Sequence, residues 1–445
     1  MPQFVTRFAP SPTGFLHAGN YRTAVFAYLF ARHTHGTFIL RIEDTDKKRS
    51  KKEYEENIIE SLDWLGLKPD AVHRQSEWVG EHEFILRSLV ERDVAYVSRE
   101  KNQEGEEREV IRFRNPNKPV TFTDVVRGDI TTDTADLGDF VIAKSFTEPV
   151  FHLANVVDDA LTGVTHIIRG EDHIPNTPRQ ILIYEALGAH LPQYVHLPLV
   201  LAPDRSKLSK RKGARPLLEY RDLGYLPSAI LNYLAMLGWH PGGDEELFSK
   251  EELIERFDVS QVQKSSAMYD EVKLKWYNRE HIQQLSASSF QLLAKNYLAP
   301  TTLKTLEKAN RLQAVMELSR ERLETFGDIT RMEEDGEFDY FLKAPTYDPA
   351  KLVWKKAPDT KATAERLLKV HELLSAVLQD AWSAESVKDA LWSFAESEGK
   401  GEVLWPVRYA LTGKEKSPDP FTVAGILGKH ETEKRIQTAI EALGA

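Results

Sequence analysis

Residues 4–33 constrain this chain more than any other stretch. FVTRFA has the alternation of a strand start; two prolines and Gly14 then fall within five residues and stop any regular element. YRTAVFAYLFARH follows with apolar residues at helical spacing, so the stretch is a strand, a tight turn and a helix. His17 and Gly19 fall at the helix N-terminus, where unpaired backbone N–H groups and the positive end of the helix dipole receive a polyphosphate. Gly19 has no Cβ to hold a ligand away, and an imidazole beside it can donate to phosphate oxygens. His17 could equally cap or pack an ordinary strand-turn-helix, and this stretch alone leaves both readings open.

The next elements extend the pattern. FILRIEDTD gives a strand with acidic turn residues after it, and SKKEYEENIIESLDWLGL gives a helix for which Ser50 is the expected N-cap, with Glu53 completing a capping box. HEFILRSLVERDVAYVSRE continues as helix then strand, so the first hundred residues have the pattern of the first half of a doubly wound parallel sheet. Ligands of such sheets bind beyond the strand C-termini, which places Glu43 and Asp44 to meet an ammonium group unless they are merely solvated strand-end acids. Residues 99–139 change to short β segments between turns and are expected to form an α+β insertion. The second half of the sheet runs through VFHLANVVDDALTG, THIIRGEDH, the helix TPRQILIYEALGA and YVHLPLVLAP. Gly170, Glu171, Asp172 and His173 make a polar cluster at a strand end, for which a capped, solvated turn is the competing reading.

From about residue 216 the chain reads as helical. LPSAILNYLAMLGW is amphipathic, Ser249 and Glu252 are spaced as a capping box, and the amphipathic stretches after 290 are joined by Pro or Gly turns without a strand-rich segment. The expected domains are 1–205, 206–290 and an all-α part over 291–445.

At 445 residues the chain is too long for a single hydrophobic core. It has no cysteine, which removes disulfides, thiol catalysis and Cys-based zinc sites, and its histidines lack metal-ligand spacing. No long apolar window or apolar leader is present, so a soluble, cytoplasmic protein is expected, without a membrane partner. The net charge of −10 argues against unspecific coating of nucleic acid. Basic islands at 47–52, 205–215 and 273–279 nevertheless suit a defined RNA footprint, although 47–52 taken alone reads rather as a solvated helix face.

HAGN at 17–20 looks like the HIGH signature of class I aminoacyl-tRNA synthetases, and KLSKR at 207–211 looks like their KMSKS loop. With FAPSPTG, RIEDTD at 41–46, FHLANVVDD at 151–159, IRGEDH at 168–173 and LNYLAMLGW at 231–239, nearly the whole chain resembles the bacterial glutamyl-tRNA synthetases. The resemblance implies a Rossmann-like catalytic domain over 1–205, with an acceptor-arm insertion at about 99–139. It also implies a connector over 206–290 carrying the KLSKR loop, and a helical anticodon-binding region over 291–445.

The implied reaction is glutamate plus ATP to glutamyl-adenylate, then transfer to the 3′ end of tRNA(Glu). The substrate carboxylate is the nucleophile, so alignment and cations must supply catalysis. Matched residue by residue, His17, Lys207 and Lys210 are the implied catalytic groups. His17, Gly19, Asn20, Asp172, Val200, Lys207, Leu208, Ser209, Lys210 and Arg211 are the implied ATP contacts. Arg7, Ala9, Ser11, Glu43, Phe151, Asn155 and Arg169 are implied around glutamate, with Glu43 at the ammonium and the two arginines at the side-chain carboxylate. Arg408, in WPVRYALTG, is either an RNA contact or part of a helix-terminal salt bridge. ATP with Mg2+ and no zinc is expected, in a protein acting as a monomer.

Two positions depart from the pattern. Asn20 stands where a second histidine is frequent, and Phe151 stands where a tyrosine is usual, a lost hydroxyl costing about 1 kcal/mol of binding. Glutamyl-queuosine enzymes lack the helical region present here, and glutaminyl enzymes usually have Glu and Asn where this chain has Ser11 and Thr13. An inactive RNA-binding relative is disfavoured by intact His17, Lys207, Lys210 and Glu43. Charging of tRNA(Gln) as well as tRNA(Glu) stays open.

Overall fold

The first strand-turn-helix is β1 (Val5–Phe8) and α1 (Ala18–His33), followed by β2 (Thr37–Ile42), α2 (Lys52–Trp64) and β3 (Ala71–Arg74). These belong to a computed structural model that describes residues 4–101, 107–206, 208, 215–355, 357 and 359–444, the side chain of Ala18 excepted. Two units divide the chain, Met1–His281 and Ile282–Ala445.

In the first unit the chain continues through α3 (Val79–Glu91), β4 (Ala95–Lys101), β5 (Glu107–Phe113), β6 (Pro119–Asp124), β7 (Gly128–Asp133), β8 (Phe140–Ser145) and β9 (Glu148–Pro149). Then come α4 (Phe151–Leu161), β10 (His166–Gly170), α5 (Thr177–Leu187) and β11 (Gln193–Leu197). Seven strands form one sheet in the order β3-β2-β1-β10-β11-β6-β7, parallel except for β7. β1 and β2 are almost wholly buried, as parallel strands covered on both faces must be. One core joins α1 and α2 to the helices beyond residue 216, through Phe26, Leu62, Leu234 and Trp239; another, on the opposite face, joins α4 and α5 to the insertion through Leu153, Ile181 and Phe113. The strand order reverses between β1 and β10, and the crevice outside their C-terminal ends is where such a sheet takes its ligand.

The inserted segment differs from the expectation in two ways. β4 does not join the parallel sheet but opens a separate antiparallel sheet, β4-β5-β8-β9, so the insertion runs from Ala95 to Pro149 rather than over 99–139. Its middle hairpin, β6 with β7, leaves that sheet and extends the main one, with Asp124 opposite Tyr194. Alternate β6 residues are buried, as in a strand with one covered face, but pairing with a strand some seventy residues onward is a choice no local pattern announces.

Ser50 is not an N-cap: α2 begins one residue later, behind Lys51, and buried Ser50 Oγ has no hydrogen-bond partner among the described residues. The Asp46 carboxylate instead accepts the N–H groups of Lys48 and Arg49, its carbonyl accepts that of Ser50, and this turn takes the place of a side-chain cap. The Ser249 and Glu252 box does form, with reciprocal bonds of 3.2 and 2.8 Å.

The first unit ends with β12 (Val200–Leu201), α6 (Leu217–Asp222), α7 (Pro227–Met236), α8 (Lys250–Arg256), β13 (Ala267–Met268) and α9 (Glu271–Gln284), which runs just past its boundary. β12 and β13 pair in parallel. The second unit is helical, with no strand among its described residues. It comprises α10 (Ala287–Ala294), α11 (Pro300–Lys308), α12 (Leu312–Arg320), α13 (Gly327–Glu334), α14 (Asp339–Leu342), α15 (Thr360–Ser375), α16 (Ala384–Glu398), α17 (Lys400–Thr412), α18 (Pro420–Leu427) and α19 (Lys429–Ala442). Among the described residues no helix is long and apolar enough to cross a membrane.

Candidate active site

A cavity of about 570 Å³ opens at the reversal of strand order. β1 and the turn after it contribute Arg7, Ala9 and Ser11; the start of α1 contributes His17, Gly19 and Asn20; the end of β2 contributes Glu43. Phe151 and Asn155 come from α4, Arg169 and Asp172 from the end of β10, and Val200 and Leu208 close the wall. The residues named from the sequence are thus brought to one cavity, apart from Lys207, Ser209, Lys210 and Arg211, which lie outside the described residues, and Arg408, which lies in the second unit.

His17 is the N-cap of α1 in extended backbone, and its N–H donates to Asn20 Oδ1 at 3.1 Å. Asn20 therefore closes the helix end as the third residue of a capping box, a job its amide oxygen can do. A Cβ on Gly19 would lie 3.1 Å from Cε1 and Nδ1 of the His17 ring, so only glycine leaves the imidazole where it is. His17 also forms a β-bridge with Pro216, and the Leu208 N–H donates to the Val200 carbonyl. Leu208 is thus tied to the cavity wall, and Pro216 to the N-cap of α1.

The acidic side of the cavity is Glu43. Asn155 Nδ2 donates to its Oε1 at 2.8 Å and Arg41 Nη2 at 3.1 Å, while Oε2 has no partner among the described residues. Burial pushes the Glu43 carboxyl up in pKa, against the opposing pull of Arg41, Arg7 and Asn155. Arg41 also pairs with Asp159 Oδ1, to which Arg7 Nε donates at 3.0 Å. Burial works against the Asp159 charge, but the two guanidinium groups outweigh it and hold that carboxyl below the usual range. Asp158 lies beside them, bonded to His82 Nε2 at 2.6 Å. Arg41 and Asp159 stand inside the motifs that contain Glu43 and Asn155, yet nothing in the sequence marks them as the buried frame behind those residues.

Arg169 is different. It is 6% exposed; Nε donates to His196 Nε2 at 3.1 Å, Nη1 to Gln180 Oε1 at 2.8 Å and Nη2 to Thr177 Oγ1 at 2.8 Å. Its partners are neutral, and among the described residues no carboxylate lies within ion-pair distance. Burial lowers its pKa to about 10, the mark of a cation without a counter-charge. Arg7 already carries Asp159, so beside the acidic side of the cavity Arg169 has charge to spare for an anionic ligand, as Arg22 has elsewhere in its wall.

Other acids of the cluster are structural. Glu171 pairs with Arg127 and accepts the Leu199 N–H at 2.8 Å, and Asp44 accepts the N–H and hydroxyl of Ser76. Gly170 admits Asp172: a Cβ there would lie 2.5 Å from its Oδ1. Phe151, 36% exposed, stands at the rim with its ring 5.7 Å from that of His173, whose pKa burial and then Arg169 push down to about 4. Arg22 was not foreseen; it lines the cavity buried, donating to the carbonyls of Leu237 and Pro198, and burial lowers it to about 10.

Arg408, on α17, makes no salt bridge among the described residues. Nη2 donates to the Glu415 carbonyl at 2.9 Å, and the guanidinium lies 4.9 Å over the Trp405 ring.

A doubly wound sheet with its cavity at the first strand-helix turn, HAGN at the start of α1 and a helical unit after it, is the arrangement expected of a class I tRNA synthetase. In agreement, residues 3–109 and 97–276 match the family described as tRNA synthetases class I (E and Q), catalytic domain, and residues 289–440 match an anticodon binding domain. The glutamate–tRNA ligase of Aquifex aeolicus is 40% identical over 100% of both chains; that of Xanthomonas axonopodis pv. citri is 39% identical over 99% of both. Among solved structures, a glutamate tRNA ligase from Elizabethkingia meningosepticum in complex with its amino acid superposes with a TM-score of 0.84 at 32% identity, covering 99% of this chain and 100% of that one. The chain belongs to the glutamate–tRNA ligase family.

Proposed function

We propose that the protein activates L-glutamate with ATP and transfers it to the 3′ end of tRNA(Glu). The observation that carries this reading is the pairing, across one cavity, of Arg169, a buried cation with neutral partners, with Glu43, a buried acid with one oxygen to spare. An amino acid with an acidic side chain satisfies both: its side-chain carboxylate meets Arg169 and a guanidinium Nη of Arg7, and its ammonium meets Glu43 Oε2. Asn155 steadies Glu43, while Ala9, Ser11 and Phe151 bound the pocket.

The α-carboxylate is then directed toward the start of α1, where Gly19 gives close approach to backbone N–H groups and His17 faces the phosphates. Asp172, Val200 and Leu208 lie on the nucleotide side, and Asn20 keeps the helix end in shape. ATP enters as its magnesium complex. A carboxylate oxygen attacks the α-phosphorus, the bond to the β-phosphate oxygen breaks and pyrophosphate leaves, so the protein supplies alignment and positive charge rather than a nucleophile. Lys207 and Lys210, with Ser209 and Arg211 in the same loop, are the cations proposed for that departing charge. In the helical unit we assign Arg408, with the Trp405 face beneath it, to the tRNA.

The test is aminoacylation by the purified protein with ATP and labelled glutamate on tRNA(Glu) and tRNA(Gln) separately. Glutamyl-tRNA(Glu) is the expected product. Absence of charging on both tRNAs refutes the reading, and charging of both extends it to a non-discriminating enzyme.

A further inference from the structure

The hairpin that leaves the insertion to join the main sheet brings an acid to the back of the glutamate pocket. Asp124, the last residue of β6, is 1% exposed. Its Oδ1 accepts the N–H groups of Val126 and Arg127 at 2.9 and 2.8 Å, and its Oδ2 accepts the His196 N–H at 2.9 Å and stands 2.7 Å from His196 Nδ1. Those bonds outweigh burial and hold the Asp124 carboxyl below its usual range, so it is ionised and can only accept. Nδ1 of His196 therefore carries the proton, and Nε2 is an acceptor. Nε2 faces the Nε–H of Arg169 at 3.1 Å, with the Thr177 hydroxyl oxygen beside it at 3.3 Å.

This bond decides which way the guanidinium points. Arg169 has five N–H bonds; His196 takes the one on Nε, Gln180 one on Nη1 and Thr177 one on Nη2. One N–H remains on each Nη, free for a carboxylate ligand. Reversing the His196 tautomer would set Nε2–H against Nε–H, donor against donor, and the fork would have to turn away.

We propose that Asp124 and His196 are positioning residues, which aim the Arg169 fork at the side-chain carboxylate of the substrate by fixing His196 as a hydrogen-bond acceptor. The inference rests on Arg169 holding that carboxylate. It gives the β6 hairpin a part in amino-acid selection, although neither Asp124 nor His196 lines the cavity.

Three variants test it in steady-state aminoacylation of tRNA(Glu), with KM measured separately for glutamate and ATP and folding followed by thermal melting. In Asp124→Asn the amide can turn its NH₂ toward Nδ1 and so reverse the tautomer. His196→Leu removes the acceptor, and His196→Gln restores one through Oε1. Asp124→Asn and His196→Leu are expected to raise KM for glutamate about tenfold or more, the worth of a charge-assisted bond, with KM for ATP within about twofold of wild type. His196→Gln should recover most of the loss. Should Asp124→Asn fail to fold, the contrast between His196→Leu and His196→Gln carries the test. Unchanged glutamate KM in His196→Leu, or equal rises for glutamate and ATP, overturns the positioning role. Arg169→Gln separates the two levels: if it raises the glutamate KM while His196→Leu does not, the pocket reading stands and the positioning role falls. If Arg169→Gln itself leaves KM unchanged, the pocket reading falls and takes the positioning role with it.

Discussion

Replacing Arg169 by glutamine removes the charge while keeping a polar side chain among Gln180, Thr177 and His196, its present partners. Alanine would leave three buried acceptors without a donor, at about 1 to 3 kcal/mol each, and would mix instability with lost binding. Glutamine limits that damage. What it cannot supply is the cation: the side-chain carboxylate of glutamate would lose a charge-assisted contact worth about 1.5 to 3 kcal/mol, or roughly 10- to 150-fold in KM. Glutamine as substrate would lose nothing comparable, because its NH₂ points a donor at a donor in the wild-type pocket. Steady-state aminoacylation with each amino acid, beside a melting curve, gives the result. The Arg169→Gln variant should show a raised KM for glutamate, KM for ATP near wild type, and a smaller preference for glutamate over glutamine. A variant that folds, keeps wild-type KM and still excludes glutamine would refute the assignment.

Gly19→Ala would put a Cβ 3.1 Å from the His17 ring and 3.5 Å from Leu208 Cδ2, so the imidazole must shift; KM for ATP should rise several-fold with little change in melting temperature, and an unchanged KM would count against phosphate binding there. Asp159→Asn withdraws the carboxylate shared by Arg7 and Arg41 in a buried frame and should cost about 3 to 5 kcal/mol in urea unfolding; a loss under about 1 kcal/mol would mean the frame is not what holds those arginines. His281, buried with Nε2 3.1 Å from Asn232 Oδ1, has its pKa pushed down to about 4 by burial, against an ordinary 6.5. Folding then keeps it neutral while the unfolded chain takes a proton, so the stability it contributes is present above pH 6.5 and is lost as pH falls toward 4. Between pH 7.5 and 5 the wild type should lose about 2 kcal/mol more than His281→Gln in urea unfolding, and parallel losses would refute the shift.

Sequence reading succeeded where structure is decided locally. The Pro/Gly turn between β1 and α1, the periodicity of α1 and α7 and the Ser249 capping box are each set within a few residues, so spacing and turn chemistry are enough to see them. Ser50 has the same cap spacing and does not cap, because Asp46 organises the preceding turn first. The β6 hairpin misled for another reason: its partner strand, β11, is distant in sequence, and strand order is a tertiary choice. The same applies around the cavity. Glu43 could be singled out at a strand end and Arg169 through the family resemblance, but Asp159 gathering Arg7 and Arg41, and Asp124 holding His196 against Arg169, exist only once β1, β2, α4, β6, β10 and β11 are side by side.

The most direct test of the central claim is calorimetric titration of the purified protein with two stable adenylate mimics, glutamyl-sulfamoyladenosine and glutaminyl-sulfamoyladenosine, which share everything except a carboxylate against an amide. A pocket whose selectivity comes from an uncompensated Arg169 should bind the glutamyl compound at least about a hundredfold more tightly. Equal affinities would contradict it.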